Sequence, residues 1–267
     1  MNVAMHLCQL GAKVAFISKV GEDQEGKDLL KIVRDKGLST DFVQIDTHHP
    51  TGKVIVDESD KENIRYDIVK PAAWDHIGWY PSQQEIADHA KVFIFGSLAA
   101  RGEISRATLL KLLMTPALKV MDINLRAPFY SFELLDKLIS HSDVLKLNEE
   151  ELNVMAGFHQ YPRDRETALV KLAEHYDLSM ICLTLGKNGA WLYYEEEFVQ
   201  HPGYQVQVKD TVGSGDAFLS AFIYSHLMNK SPEQMLDDAC ALGAYVATQE
   251  GGTPSYKQED IEKIKSD

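Results

Sequence analysis

The sequence is short of cysteine and has no long apolar run. Its 267 residues include three cysteines, Cys8, Cys182 and Cys240, which lie far apart and form no C-x-x-C pair. This spacing excludes a disulfide framework and a zinc knuckle, and it is typical of buried thiols in a reducing compartment. The longest uncharged stretches, such as residues 217–229, fall well short of the roughly 18 residues that a membrane span needs.

Basic charge is also scarce. The chain carries 40 acidic and 27 basic residues, a formal net charge of −13. Nucleic acids and anionic membranes repel such a surface, which argues against both as partners. The opening residues MNVAMHLCQLGAK have neither the basic region nor the small-residue cleavage site of a signal peptide. We therefore expect a cytoplasmic protein without nucleic-acid or membrane partners.

What is present is the pattern of an α/β domain. Hydrophobic residues make up 45% and charged residues 25%, as in an average soluble protein. Beyond residue 82, the strand patterns VFIFG, LKVMDI, DVLKLN and MICLTLG alternate with helical patterns. The predicted helices cover 103–114, 131–140, 148–156, 213–228, 231–249 and 257–265. Such alternation predicts a mainly parallel sheet with helices on both faces.

The first third of the chain reads differently. Val3, Leu7 and Leu10 recur at helical spacing before Gly11, so the chain opens on a helix with no capping residue. The run KVAFISKVG predicts a strand, and QEGKDLLKIVRDKG predicts a helix. Short strands follow at 41–46, 52–58 and 63–69, the last two joined by a polar turn at 59–62. We predict one domain over 1–267 with a small β segment at about 41–70.

The sharpest candidate site is the run from Asp210 to Asp216, DTVGSGD, which leads directly into a predicted helix. Gly213 and Gly215 flank Ser214 and let backbone N–H groups converge on one point. The positive end of the helix adds to that field and favours an anion. Asp216 could then take a proton from an attacking alcohol. A turn capped by Asp216 without any catalytic role fits the spacing equally well.

Three further candidates stand at strand ends. Asn148 and Glu151 are one helical turn apart and could hold hydrated Mg²⁺, although a solvated acidic helix start is the simpler interpretation. Lys187 follows a strand and suits a phosphate, unless its turn is only a hairpin. Asn124 and Arg126, in DINLR, suit hydroxyls or phosphate oxygens, with a surface ion pair as the alternative for Arg126.

These motifs, in this order, resemble those of the ribokinase-like sugar kinases, the phosphofructokinase-B family. DTVGSGDAF is similar to the family's C-terminal signature D-T-x-G-[AS]-G-D-x-F. VGEDQEGKDLL, TGKVIVD, KLNEEEL, TLGKNGA and EGGTPS extend the resemblance over nearly the whole chain. DINLR, GSLAAR and YDIVKPAAWD look most like the fructokinase branch. The resemblance implies a ribokinase-like fold with a β lid at 41–70 that excludes water and could pair two copies into a homodimer.

The resemblance also implies roles for particular residues. Asp216 would accept the proton of the sugar's primary hydroxyl, and Gly213, Ser214 and Gly215 would form the anion hole for the γ-phosphoryl group. The sugar site would include Asn2, Asn124 and Arg126. The residues bordering ATP would be Asn148, Thr184, Gly186, Lys187 and Gly189. Glu151, with Asn148, would organise Mg²⁺, and a potassium-type ion would be held, mostly through carbonyl oxygens, by Asp210, Val212, Val246, Gln249, Gly251 and Ser255.

The sequence departs from the family pattern at its beginning. Family members start with a strand that bears a sugar-binding Asp, followed by a Gly-Gly pair before the equivalent of Asn2. The sequence starts at Met1-Asn2, so we expect those features to be missing. The leading hypothesis is an ATP-dependent kinase that phosphorylates a ketohexose, with fructose as the first candidate. The alternatives are a truncated, weakly active or inactive sugar- and nucleotide-binding relic, and a kinase for ribose, 2-keto-3-deoxygluconate or a nucleoside.

Overall fold

The computed structural model describes residues 1–57 and 65–266. The chain forms two compact units. The large unit comprises Met1–Val14, Val92–Ser97 and Leu118–Asp267, and the small unit comprises Ala15–Lys91 and Leu98–Ala117.

Helices and strands alternate along most of the chain. In chain order they are α1 (Asn2–Gln9), β1 (Ser18–Gly21), α2 (Gln24–Asp35), β2 (Val43–Asp46), β3 (Val54–Asp57), β4 (Arg65–Ile68), α3 (Pro81–Asp88), β5 (Val92–Gly96), α4 (Glu103–Leu112), β6 (Leu118–Asp122), α5 (Phe132–Ile139), β7 (Val144–Asn148), α6 (Glu149–His159), α7 (Arg165–Tyr176), β8 (Met180–Thr184), β9 (Ala190–Tyr194), β10 (Glu197–His201), α8 (Ser214–Leu227), α9 (Pro232–Ala247) and α10 (Gln258–Ser266).

The large unit is built on a mixed sheet. Within the described residues its six strands run in the order β10-β9-β8-β7-β6-β5. Strands β5 to β8 are parallel, while β9 and β10 are antiparallel to their neighbours. The predicted α/β architecture with a largely parallel sheet is confirmed, and the carboxyl ends of the parallel strands lie along one edge.

Both faces of this sheet are covered. Val144 and Cys182 belong to a core that includes Phe222 of α8 and Leu236 of α9. Leu145, which points to the opposite face because side chains alternate along a strand, has no exposed surface either. Helices α6 and α7 contact the sheet at β7 and β8. Strands buried on both sides explain the nearly continuous apolar runs in the sequence.

The small unit contains two separate strand pairs. β1 lies parallel to β2, and β3 lies antiparallel to β4. The predicted hairpin strands at 52–58 and 63–69 are thus present as β3 and β4, and their turn lies outside the described residues. The strand predicted for KVAFISKVG is shorter than expected and covers only Ser18–Gly21. The reason is that its partner β2 pairs with it over only four residues, from Val43 to Asp46.

Helices α3 and α7 were not predicted from the sequence. Helix α3 begins at Pro81, which suits a first helical position because its N–H is not needed there. Helix α7 is capped by Asp164, whose carboxylate accepts hydrogen bonds from the backbone N–H and the hydroxyl of Thr167, at 2.9 and 2.7 Å. Both start signals are in the sequence, but the apolar periodicity that follows them is weak.

No helix in the described ranges is long and apolar enough to cross a membrane. Cys182 and Cys240 are buried, and desolvation raises the pKa of both thiols, which keeps them protonated and unreactive. Cys8, in contrast, is half-buried.

Candidate functional site

The turn at the start of α8, residues 211–215, has the geometry of an anion-binding turn. Gly213 precedes the helix with φ of +79°, and a Cβ atom there would lie 2.4 Å from the carbonyl oxygen of Gly252. Only glycine fits this conformation and this close approach. The N–H groups of Gly215 and Asp216 then head the helix, where helical geometry gives them no intrahelical acceptor. With the helix dipole, they favour an anion at this point.

Asp216 lies in the first turn of α8, beside that turn. The side-chain amide of Asn2, at the start of α1, donates a 2.9 Å hydrogen bond to Asp216 Oδ2. The contact fixes the carboxylate and leaves Oδ1 as the second acceptor. Asn2 was expected in the sugar site, and the structure brings it to the candidate base.

Lys146 is a functional candidate that the sequence pattern did not predict. It lies on β7, is 8% exposed, and donates to both carboxylate oxygens of Asp122 on β6, at 3.0 and 3.1 Å. A Cβ atom on Gly215 would be 3.3 Å from Lys146 Nζ. The ammonium therefore lies directly beneath the anion-binding turn, and Gly215 leaves room for it.

The charges around Lys146 are unbalanced. Burial raises the pKa of Asp122 to about 6; Lys146 opposes that rise, while the carboxylates of Glu151 and Asp216 add to it. Burial lowers the pKa of Lys146, but Asp122, Glu151 and Asp216 together outweigh burial, so the net shift is upward. Lys146 therefore remains an ammonium ion at neutral pH, next to the helix start that favours anions.

Asn148 and Glu151 form a capping box at the start of α6. Asn148 Oδ1 accepts from Glu151 N, and Glu151 Oε2 accepts from Asn148 N, both at 2.9 Å. Glu151 Oε1 accepts from Leu125 N at 2.9 Å. The helix-start interpretation is therefore right for the local structure, but Glu151 is 5% exposed rather than solvated. Each carboxylate oxygen retains a second lone pair that can accept from metal-bound water.

The DINLR segment follows β6 at the same edge. Asn124 has φ of +38°, which places it in the left-handed region, and Glu151 fixes the next residue, Leu125. Arg126 is exposed, and its guanidinium donates to the carbonyl oxygen of Leu125 at 2.9 Å. The segment thus presents an amide and a guanidinium beyond the strand.

The expected nucleotide border follows β8. Thr184 pairs in register with Asn148, and the turn at Gly186–Asn188 leads into β9. The hairpin interpretation is correct for the backbone, because β8 and β9 are antiparallel. Gly189 has φ of +85°, and a Cβ atom there would lie 1.9 Å from the carbonyl oxygen of His201. Lys187, on the turn, is exposed.

The residues expected around a potassium-type ion lie in two adjoining loops and, for Val246, in the last turn of α9. Asp210 joins the loops, because Oδ1 accepts from Val212 N at 2.9 Å and Oδ2 accepts from Gly251 N at 3.2 Å. The carbonyl oxygen of Val246 accepts from Gln249 N at 3.0 Å. The carbonyl oxygen of Ser255 accepts from the hydroxyl of Tyr245 at 3.4 Å.

Carbonyl oxygens with one remaining lone pair suit a hard, weakly bound cation. In the described part of the chain, no three or more His, Cys, Asp or Glu side chains cluster as a metal site. A cation at these loops, or Mg²⁺ at Glu151, would therefore be held through carbonyl groups and water.

The sequence matches known carbohydrate kinases over almost its whole length. The model of the pfkB family carbohydrate kinases matches residues 1–259. Fructokinase-1 of Oryza sativa subsp. japonica is 29% identical over 281 residues, which cover 99% of this chain and 85% of the relative. Probable fructokinase-7 of Arabidopsis thaliana is 30% identical over 276 residues, 97% of this chain and 80% of the relative.

Solved structures show the same fold. An uncharacterized sugar kinase from Pyrococcus horikoshii in complex with ATP is 25% identical, with a TM-score of 0.80 over 98% of this chain and 88% of its own. The 2-dehydro-3-deoxygluconokinase of Thermotoga maritima has a TM-score of 0.86 at 21% identity, over 100% of this chain and 88% of its own. The ribokinase-like α/β fold is therefore confirmed.

Proposed function

This chain belongs to the pfkB family of carbohydrate kinases, and we propose that it transfers the γ-phosphoryl group of ATP to a primary hydroxyl of a ketohexose, with fructose as the first candidate. The observation that carries the proposal is the start of α8. There, the carboxylate of Asp216, fixed by Asn2, adjoins backbone N–H groups that lie over the Lys146 ammonium. A base beside an anion site is what phosphoryl transfer to an alcohol requires.

The transfer can be written with these groups. The sugar hydroxyl gives its proton to Asp216 Oδ1, while the hydroxyl oxygen forms a bond to the γ-phosphorus. The bond between the γ-phosphorus and the β,γ-bridging oxygen breaks, and ADP leaves with that oxygen. The N–H groups of Gly215 and Asp216, with Lys146 beneath them, stabilise the charge on the transferring group. Ser214, which was also expected in the anion hole, donates its N–H to the carbonyl oxygen of Thr211 at 3.2 Å.

Metal ions complete the proposed site. Glu151 and Asn148 would hold Mg²⁺ through water, and the ion when bound would neutralise charge on the ATP phosphates. The loops joined by Asp210 would hold a potassium-type ion next to Gly213, and the donor set described above supports this. Thr184, Gly186, Lys187 and Gly189 would border the nucleotide.

We also propose a role for the β3–β4 hairpin, an oligomeric state and a cellular location. The β3–β4 hairpin would form part of a lid that excludes water, because water would otherwise compete with the sugar for the phosphoryl group. Val54 and Ile55 on β3 are each 55% exposed, and such apolar side chains support a homodimer through this hairpin. We place the enzyme in the cytoplasm, supported by its acidic charge and widely spaced cysteines.

The choice of fructose is supported by the curated relatives. The relatives from Oryza sativa and Arabidopsis thaliana are named fructokinase and probable fructokinase, at 29–30% identity. The neighbouring 2-dehydro-3-deoxygluconokinase, at 21% identity, supports the fold alone. Sugar contacts by Asn124 and Arg126 remain part of the proposal.

An ATP-consumption screen tests the proposed function. The full chain is incubated with fructose, ribose, 2-keto-3-deoxygluconate and nucleosides, and the sugar product is identified by mass spectrometry. We expect the highest kcat/KM for fructose, with phosphate on a primary hydroxyl. Asp216→Asn should lower the signal by roughly 10²-fold or more, whereas Asp28→Asn on the exposed side of α2 should retain it. Turnover of another acceptor alone would reassign the substrate, and no turnover with any acceptor would favour the inactive relic.

A further inference from the structure

His6 is a fully buried histidine on α1 to which the proposed chemistry gives no role. Its Nε2 lies 2.9 Å from the carbonyl oxygen of Gly252. Because a carbonyl oxygen can only accept, Nε2 must carry the proton and donate. The imidazole also stacks on Tyr256, with ring centres 5.8 Å apart and an interplanar angle of 19°, and its Nδ1 is 3.3 Å from the Tyr256 hydroxyl.

The peptide that His6 holds forms a wall of the anion-binding turn. A Cβ atom built on Gly213 would lie 2.4 Å from the oxygen and 2.5 Å from the Cα of Gly252. A Cβ atom built on Gly252 would lie 3.1 Å from Asn2 Nδ2, the amide that holds Asp216. Gly252 thus lies in close contact both with Gly213, just before α8, and with the Asn2 amide that holds the proposed base.

One face of α1 serves both contacts. Asn2 and His6 are four residues apart and therefore point the same way on the helix. Asn2 donates to Asp216, and His6 donates to Gly252, so a single rigid element fixes the base and the turn that receives the phosphoryl group. The Ser220 hydroxyl lies 2.6 Å from the carbonyl oxygen of Asp216 and 3.2 Å from that of Val3, which also brings α1 and α8 together. Sites held by rigid elements keep their geometry better than sites held by loops.

We propose that His6 is a positioning residue for phosphoryl transfer, which keeps the Gly252 peptide against Gly213 and so sets the geometry of the anion site. This inference rests on the proposed kinase function. The imidazole touches no reacting atom; it acts through the backbone of Gly252. A small displacement of that wall would misplace the N–H groups that stabilise the transition state, which lowers kcat more than it weakens ground-state binding.

Removing the donor tests the inference. We expect His6→Leu to lower kcat by about tenfold or more, while KM for ATP and for the sugar changes by less than about twofold. His6→Gln, whose side-chain amide can reach the position of Nε2, should recover most of that loss. Tyr256→Phe keeps the stacked ring but removes the hydroxyl, and should cost less than His6→Leu.

A matched control separates positioning from stability. Leu7, on the same helix, is only 6% exposed and packs into the apolar core. Leu7→Ala should therefore lower the melting temperature without a selective loss of kcat. Hydrogen exchange read by mass spectrometry on peptides 211–217 and 250–256 adds a measurement that needs no turnover. His6→Leu should speed exchange in both peptides, whereas Leu7→Ala should not single them out.

The outcomes are distinguishable. If the wild-type chain phosphorylates no acceptor, the proposed function fails, while the exchange measurement still decides whether His6 holds the turn. If His6→Leu keeps its kcat, leaves exchange unchanged, or matches Leu7→Ala in both kcat and melting temperature, the inference about His6 is overturned. Failure of His6→Gln to restore kcat above that of His6→Leu would also overturn it.

Discussion

The two units differ in how cations are matched to their buried and half-buried carboxylates. In the large unit, Asp122, Glu151 and Asp216 surround a single ammonium, that of Lys146. In the small unit, Asp75 has its own buried guanidinium: Arg101 Nε and Nη2 donate to its two oxygens at 2.6 and 3.0 Å. The cluster in the large unit therefore has more carboxylates than cations, whereas Asp75 and Asp46, the buried carboxylates of the small unit, each have a cation of their own.

The pKa values follow this difference. Burial and neighbouring carboxylates raise the pKa of Asp122. The pKa of Asp46 in the small unit is lowered, because Lys19 and the amides of His48 and His49 outweigh burial. Crowded carboxylates are typical of sites that bind charged ligands, whereas fully paired carboxylates are typical of structural contacts. We therefore expect the same residue type to serve chemistry in the large unit and folding in the small one.

The largest expected effect comes from Asp216→Asn. The amide cannot accept the proton of the sugar hydroxyl, so we expect kcat to fall by roughly 10²- to 10⁴-fold. Nucleotide affinity by calorimetry and the melting temperature should stay close to wild type, since the Asn2 contact can persist. Turnover close to that of the wild type would contradict the assignment of Asp216 as the base.

Asp75→Asn makes the same substitution in the small unit, with the opposite result. It leaves the buried Arg101 without its counter-charge, so we expect the free energy of unfolding to fall by about 3 kcal/mol or more in urea titrations. A loss near zero would mean that Asp75 is not a structural ion-pair partner. Together the two variants separate a catalytic carboxylate from a structural one.

The start of α8 could be predicted because its information is local. The run from Asp210 to Asp216 contains the glycines, the proposed base and the helix start within seven consecutive residues, so sequence spacing reports geometry. That a helix starts at Asn148 and Glu151 was predicted for the same reason, although their capping box was not. What spacing could not tell is that Glu151 is buried and holds Leu125, 26 residues away.

Lys146 and His6 escaped prediction because their partners are distant in sequence. Lys146 sits inside an apolar strand pattern, and its partner Asp122 is 24 residues away on the next strand. His6 contacts Gly252 across 246 residues, and the apolar face of α1 gives no sign of it. The short β1 is a further case, because the length of a strand depends on the partner that its ladder finds.

The pH dependence of stability should run in opposite directions for Asp122 and Asp46. Asp122 has a folded pKa of about 6, above its ordinary 3.8, so wild type should lose stability relative to Asp122→Asn as the pH rises between those values. Asp46 has a lowered pKa, so its contribution is present above 3.8 and is lost as the pH falls below that value.

Urea unfolding of wild type, Asp122→Asn and Asp46→Asn from about pH 3 to about pH 7 measures both slopes. The difference between wild type and Asp46→Asn should shrink toward acid pH, and that between wild type and Asp122→Asn should move in favour of the variant toward neutral pH. Slopes of the same sign would contradict the contrast between crowded and paired carboxylates.

The smallest effect is expected for an ion pair that is exposed to solvent. Lys209 and Glu250 form an ion pair in the large unit at 3.4 Å, with side chains 61% and 86% exposed. Water screens such a pair and ordering two mobile side chains opposes it, so Lys209→Ala should change the free energy of unfolding by less than about 0.5 kcal/mol. Urea titration at low and high salt checks this. A loss as large as that of Asp75→Asn would mean that burial is not what separates the strong ion pairs from the weak ones, and the contrast between the units would need another cause.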